Sequence, residues 1–378
     1  MAYTNKFIVP NYYKEFKCKG KECRNSCCTG WDVTISLKEY YKLQSLKCSK
    51  TLRTLLDKTF VLKKNPNPDQ YGIVQKNQHN DCPLHMEDGY CRLHKECGEK
   101  SLPLICNYYP RGIRNDYLYE ASCSNSCEKT LEILFKDDEK ISFEEKTLTI
   151  DLPLNPLIIS DEQKSKYNGI RQICFSILSN RESSLSSRII QMGRVLQGIL
   201  NFKEESNYES IPIMFQLSDL KVDKNYDYSY SIQEKLLKHF HSRSKSIEKY
   251  SQAAIDFYNN QGPKSYKLGK IDLINKFKNI EIMFEKLLIN HLYFIQFPFT
   301  YNTKTLWEEY ISICGVYLFT SYITIGYMND KEKNEDLIDV LSASFRLIDH
   351  TNFSKNINSF FNNENIMTLE QISILIYS

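Results

Sequence analysis

From about residue 163 onward, apolar side chains recur at three- and four-residue intervals. That is the period of a helix with one buried face. The spacing predicts helices over Gln163–Leu178, Ser187–Phe202, Ile232–Asn259, Ile271–Ile295, Trp307–Met328, Glu335–Ile348 and Thr368–Tyr377. Thr368 with Gln371 three positions on forms a capping box, and Gln261-Gly262-Pro263 is a helix stop. The Tyr-rich stretch Asn225–Tyr230 reads as an exposed loop. The segment Ile311–Met328 holds no charge and is long enough to raise a membrane span. Two Gly, two Ser, two Thr and three Tyr dilute that segment, and it reads as a buried core helix.

No such period persists before residue 130. Leu37–Leu56 shows helical spacing (Leu37, Tyr40, Tyr41, Leu43, Leu46) behind Ser36 as N-cap, and 65–72 is a turn cluster. Gly98–Pro110 begins helical and is forced extended before Pro110. Strand-like alternation in ILFKD, KISFE and LTIDL, around Asp137-Asp138-Glu139, predicts a short β-hairpin within 130–155. Pro153 and Pro156 punctuate a boundary near Leu152–Asn155. The fold expected is mainly α. A Cys-rich loop-and-helix metal-binding module (1–152) carries the short hairpin, and an all-helical domain (153–378) follows.

Composition is ordinary for a soluble protein, with 42% hydrophobic and 25% charged residues. Charge is uneven. Residues 1–127 carry 20 Lys+Arg against 13 Asp+Glu, so +7, and the remainder carries 29 against 33, so −4. Basic residues beside cysteines favour thiolates, so the charge is read that way and no nucleic-acid partner is expected. The opening stretch MAYTNKFIVPNYYKEF has no signal-peptide run. A cytoplasmic protein with no membrane partner is expected. In that compartment thiols stay reduced, and dense cysteines mean metal or redox chemistry.

That density is the main chemical feature. Eleven of the 13 cysteines lie between Cys18 and Cys127, four of them in Cys18-x4-Cys23-x3-Cys27-Cys28. Thiolates hold iron–sulfur clusters and zinc. Adjacent residues point apart, so Cys27 and Cys28 serve different irons, or one of them serves a second site or the core. Cys82-x2-His85 with Cys91-x2-His94 is a zinc alternative, and an inert reduced set is a third. The turn at Asp88-Gly89 brings Cys82 and Cys91 together. Position 30 is Gly30, so CxxxCxxC is absent. GxGxxG, P-loop, GxSxG and HExxH patterns are absent too.

FKCKGKECRNSCCTGWDVTIS (16–36), CPLHMEDGYCRL (82–93), GEKSLPLICNYYPR (98–111), SNSCEKTLEILF (124–135) and EKLLINHLYFIQFPF (285–299) resemble the flagellin lysine-N-methylase family. That family carries a CxxCxxCC iron- or zinc-chelating domain. The likeness is firm as far as residue 130 and looser beyond. It implies metal ligation by Cys18, Cys23, Cys27, Cys28, Cys82, Cys91, Cys106 and Cys127, with Cys48, Cys97 and Cys123 as extras. His85 and His94 fall where the family has other residue types, and Glu128 stands where it usually has Pro, a departure expected to have little effect on the chemistry. The resemblance further implies S-adenosylmethionine as methyl donor, a [4Fe–4S] cluster, and flagellin lysines as acceptors.

Such a reaction needs a neutral amine, although a free lysine has a pKa near 10.4. It also needs the methyl in line at about 3–3.5 Å. Arg111 can bind a carboxylate bidentately, and Tyr108 or Tyr109 can line a slot for a cationic donor. Tyr109 and Arg111 are the candidate cofactor-binding residues, and Trp31 is expected to pack over the metal centre. The competing readings are a non-enzymatic module that binds a protein through a metal-stabilised fold, and a redox or metal-handling protein.

Overall fold

The computed structural model describes residues 3–29, 32–115, 117–150, 160–201, 224–298 and 305–378. Trp31 and the expected boundary at 152/153 lie outside them. Fifteen α-helices and seven strands are formed among the described residues.

The first strand, β1 (Tyr3–Pro10), sits inside a four-stranded sheet. It pairs antiparallel with β7 (Phe143–Ile150), from Tyr3↔Ile150 to Pro10↔Phe143. On its other side it runs parallel to β6 (Glu120–Cys123), which pairs with β5 (Arg111–Arg114). Phe7 and Val9 point into the core while Lys6 and Ile8 face out, the two-residue period of a strand. The cysteine-rich segment is therefore a long excursion whose two ends are tied into one sheet.

That excursion has its own small core. Helices α1 (Leu37–Gln44) and α2 (Lys50–Thr59) pack with a sheet of β2 (Thr34–Ile35), β4 (Gly72–Val74) and β3 (Phe60–Leu62). Ile35, Leu43, Leu52, Leu56, Phe60, Val74, Leu84 and Leu93 are buried together there. Ser36 and Glu39 form a capping box on α1. Three short helices complete this half: α3 (Arg92–Cys97), α4 (Leu104–Tyr108) and α5 (Glu128–Leu134). Among the described residues the expected hairpin does not form. Positions 128–134 are helical, and the following strand pairs with β1 at the far end of this half of the chain. Alternation predicted the strand but not its partner.

The described residues beyond 160 are mainly helical, as expected. The helices are α6 (Asp161–Leu178), α7 (Leu185–Asn201), α8 (Tyr226–His241), α9 (Glu248–Gln261), α10 (Lys264–Lys276), α11 (Ile280–Phe294), α12 (Leu306–Tyr327), α13 (Asn334–His350), α14 (Phe353–Asn363) and α15 (Leu369–Tyr377). Three expected helices are each broken in two, at 45–49, 242–247 and 277–279. Asn225–Tyr230 is no loop, because the Asn225 side chain caps α8 by accepting from the Tyr228 amide at 3.0 Å. Helix α12 is the apolar segment, and 89% of its most apolar window is buried inside the protein. One apolar core runs from Phe7 to Ile376 and draws on both sides of residue 152. Buried ion pairs stitch it. Glu120 on β6 accepts from Arg171 on α6 at 2.5 and 3.0 Å, and Glu285 on α11 accepts from Arg188 on α7 at 2.6 Å.

Candidate functional site

Three loops bring cysteines to one cavity. In the loop after β1, Gly20 takes the left-handed conformation (φ 58°). The 82–91 turn is pinned to this loop by a bond from the Cys82 amide to the Cys28 carbonyl, 2.8 Å. At its tip Gly89 has φ 79°, and a Cβ there would meet the Lys21 Cα at 2.9 Å. The third piece is α4, which carries Cys106. Cys18, Cys23, Cys27, Cys28, Cys82, Cys91 and Cys106 together line a cavity of about 170 Å³, with His94 and Tyr109 on its wall. A single water needs only ~10–15 Å³ by the same measure, so the space suits a group of several heavy atoms.

Cys127, the N-cap residue of α5, does not line the cavity, but its thiol lies close enough to Cys18 and Cys23 for their charges to interact. The sulfurs thus fall into two neighbourhoods. Cys28, Cys82, Cys91 and Cys106 bear on one another, as do Cys18, Cys23 and Cys127, and Cys27 touches both sets. Burial pushes Cys82 up to about 12, helped by Cys28 and Cys91. Burial also takes Cys23 to about 12, helped by Glu128 and Cys127. The Cys27 thiol donates to Cys28, which lowers Cys28 and raises Cys27. A set of soft donors that resist holding negative charge together is one that a bound cation would stabilise. Among the described residues, no three His, Cys, Asp or Glu side chains are gathered closely enough to hold a metal ion as they stand. Of the zinc alternative, Cys82, Cys91 and His94 line the cavity, and His85 faces Cys28 from outside it.

The other sequence candidates fall elsewhere. Cys48 and Cys97 neighbour each other against the small core, and Cys123 is buried in the main one. Arg111 is engaged away from the cavity. Its guanidinium lies 4.8 Å from the Phe16 ring centroid and donates to the Phe16 carbonyl at 3.3 Å. Tyr108 packs on the main core.

Two features escaped sequence reading. The first is Glu128, whose side chain is 1% exposed. It accepts from Lys19 Nζ at 2.8 Å and from the backbone amides of Arg24 at 3.2 Å and Asn25 at 2.9 Å. One carboxylate beside Cys127 thus grips the residues next to Cys18 and Cys23. The second is a buried polar chain leaving the cavity wall. The Tyr109 hydroxyl meets Ser126 Oγ at 3.0 Å, and Ser126 meets Ser124 Oγ at 2.7 Å. Ser124 donates to Asp349 Oδ2 at 2.5 Å, and Asp349 Oδ1 meets His291 Nδ1 at 2.9 Å. His350 Nε2 joins at Ser126, 2.9 Å. The chain ends at a second cavity of about 330 Å³ lined by His291 and Asp349. Polar residues inside the apolar runs of α11 and α13 were the signal for this feature.

The FliB lysine N-methylase C-terminal domain family matches residues 171–375, more than half of the chain. The chain belongs to the FliB lysine N-methylase family. It is 28% identical over 182 residues to the Lysine-N-methylase of Salmonella typhimurium, covering 48% of this chain and 44% of that one. Against the Lysine-N-methylase of Salmonella choleraesuis it is 27% identical over the same length. The Flagellar biosynthetic protein FliU of Salmonella muenchen is 29% identical over 139 residues, 36% of this chain and 81% of that protein. These matches to the two lysine-N-methylases span less than half of their length. No solved structure matches. The FliB C-terminal match takes in His291, Asp349 and His350 and leaves the cysteine cavity outside it.

Proposed function

We propose that this FliB-family chain is an S-adenosylmethionine-dependent protein lysine N-methyltransferase acting on flagellin, with a [4Fe–4S] cluster held by its N-terminal thiols. The observation that supports it is the meeting of seven family cysteines on one cavity in a chain related to lysine-N-methylases. The residues fit such a cluster. The cavity is larger than an ion needs, its donors are soft, and basic Lys19, Arg24 and Lys76 stand near it. Cys18, Cys23, Cys27, Cys28, Cys82, Cys91, Cys106 and Cys127 are the ligand pool. When bound, the cluster supplies thiolate-held iron, which either braces these loops or offers an open iron to the donor's amino and carboxylate groups.

The chain's own residues do the rest. Glu128 fixes the loop carrying Cys18 and Cys23 against α5. Tyr109 presents an aromatic wall to the thiol cavity, suited to a cationic donor. Arg111 is committed to Phe16, so the donor's carboxylate is not assigned to it. The acceptor amine must be stripped of a proton and kept from water, and the buried polar chain behind Tyr109 offers groups that move protons. The protein works in the cytoplasm, where its thiols stay reduced.

The experiment is transfer of a labelled methyl group. Protein purified without oxygen is incubated with labelled S-adenosylmethionine and flagellin, and lysines are analysed by mass spectrometry. Methylated flagellin lysines are expected. Absence of transfer by cluster-loaded protein would reject the reading.

A further inference from the structure

We propose that the outer face of α10 is a docking site for an acidic amphipathic helix of a protein partner. The partner's apolar side chains lie on Leu268, Ile271 and Ile274, and its carboxylates meet Lys264, Lys267 and Lys270. The site shares no residue with the thiol cavity and is independent of the methyltransferase reading.

Helix α10 seats its inner face firmly. Ser265, Tyr266, Gly269 and Leu273 are buried, and a Cβ on Gly269 would meet Ile325 Cγ2 of α12 at 2.7 Å. A surface helix ordinarily turns polar residues to water on the opposite face. Here that face carries Leu268, Ile271 and Ile274, which are 63%, 49% and 43% exposed. Single exposed aliphatics are ordinary, but several together mark a contact surface. Their three-residue spacing gives a stripe ~9 Å long, close to the ~10.5 Å from i to i+7 on a facing helix.

Charge sets the partner's sign. Lys264 and Lys267 are exposed on the same face, and Lys270 is half-buried at its edge. Lys224, just before α8, lies near enough to Lys270 for their charges to repel. None of these four lysines forms an ion pair with a described residue. Lys267 instead lies over the Tyr226 ring, 5.1 Å from its centroid. Asp272, the acid on α10, is paired with Lys276 at 2.6 Å, and Glu281 acts on Lys270 at longer range. Burial holds Lys270 below its usual range, with Lys224 adding and Glu281 opposing. A carboxylate brought beside it relieves that penalty.

A cavity of about 50 Å³ opens beside the stripe, with Lys270, Leu273, Ile274, Ile280, Phe284 and Tyr317 in its lining. At ~10–15 Å³ per water by the same measure, it has room for the tip of one apolar side chain. Ile274 belongs to both stripe and cavity, so an anchor entering there passes Lys270. These features select a helix over other occupants. A second copy of the chain would set these lysines against one another, and a bilayer surface has no side chain for the cavity.

The test uses the full chain, labelled at its Leu and Ile methyl groups. A synthetic amphipathic helix of Leu and Glu is titrated into it, and separately the same helix with every Glu replaced by Lys. The acidic helix should shift Leu268, Ile271 and Ile274 and bind about tenfold more tightly, or better, than the basic one. Lys264→Glu with Lys267→Glu should weaken it about tenfold, as should Ile271→Ser. Lys47→Glu with Lys50→Glu, on the cysteine-rich half, should not. No shift at the three residues, equal binding of the two helices, or unchanged binding by the α10 variants would overturn the assignment. So would evidence for another occupant: phosphatidylglycerol vesicles that shift these methyls where the acidic helix does not, a dimer of the chain that Ile271→Ser splits, or shifts of these methyls on deletion of residues 204–222, which lie outside the described ones. None of these results bears on methyl transfer, which is tested separately.

Discussion

Replacing Glu128 with alanine should loosen the cysteine loop without unfolding the protein. The Glu128 carboxylate lies beneath that loop and accepts from Lys19 and from two backbone amides. The substitution orphans the Arg24 and Asn25 amides and removes one of the two carboxylates on Lys19, while Glu132 stays at 2.6 Å. Hydrogen bonds to a charged group contribute about 1.5–3 kcal/mol each, and breaking a buried pair costs about 3–5 kcal/mol. These figures overlap rather than add, and Lys19 keeps its second partner. The net expected cost is about 3 kcal/mol, felt first as local opening. At ~1.4 kcal/mol per factor of ten, amide exchange at Arg24 and Asn25 should quicken about 10²-fold. Hydrogen exchange read residue by residue is the assay. Glu128→Gln, which keeps one acceptor oxygen, should fall between. Unchanged exchange at both amides in Glu128→Ala would refute the claim that this carboxylate holds the loop.

Other consequences are equally direct. Substituting Cys28 or Cys82 by alanine should lower bound iron and its visible absorbance, while Cys48→Ala and Cys97→Ala should leave both unchanged, as judged by metal analysis. Glu285→Ala strands the buried Arg188 guanidinium and should cost about 3–5 kcal/mol in denaturant unfolding. His350 is pushed below 6.5, mainly by burial, with Arg346 and Arg114 adding and Asp349 opposing. The unfolded chain then takes up a proton at a higher pH than the native one. Stability should be complete above about 6.5 and fall as pH drops through the window below it. His350→Gln should flatten that part of the profile in unfolding titrations.

Local chemistry made much of this structure legible in sequence. Ser36 caps α1 and the Thr368-Gln371 capping box forms, both as read, and Gln261-Gly262-Pro263 ends α9, with Gly262 at φ 68°. Helix α12 is buried in the core because its tyrosines and glycines pack against neighbouring helices. Pairing at long range was not legible. Nothing in YTNKFIVP says that it lies between a strand near residue 120 and another near 146, so the sheet that ties off the cysteine excursion was missed. Helix α14 was missed, and α1–α2, α8–α9 and α10–α11 were each read as one helix, since apolar spacing runs on through short breaks. At the site, the family resemblance named the sulfurs on the cavity, and Cys127 beside it, but could not divide them into neighbourhoods. It could not see Glu128, Asp349 and His291 either, because a buried polar residue shows its meaning only with its partner, which for Asp349 is as distant in sequence as Ser124.

The most direct test is iron and acid-labile sulfide analysis of protein purified without oxygen. Iron and sulfide in equal amounts, lost together when Cys28 and Cys82 are replaced, is the predicted result. Protein that folds with one zinc, or with no metal at all, would contradict the account.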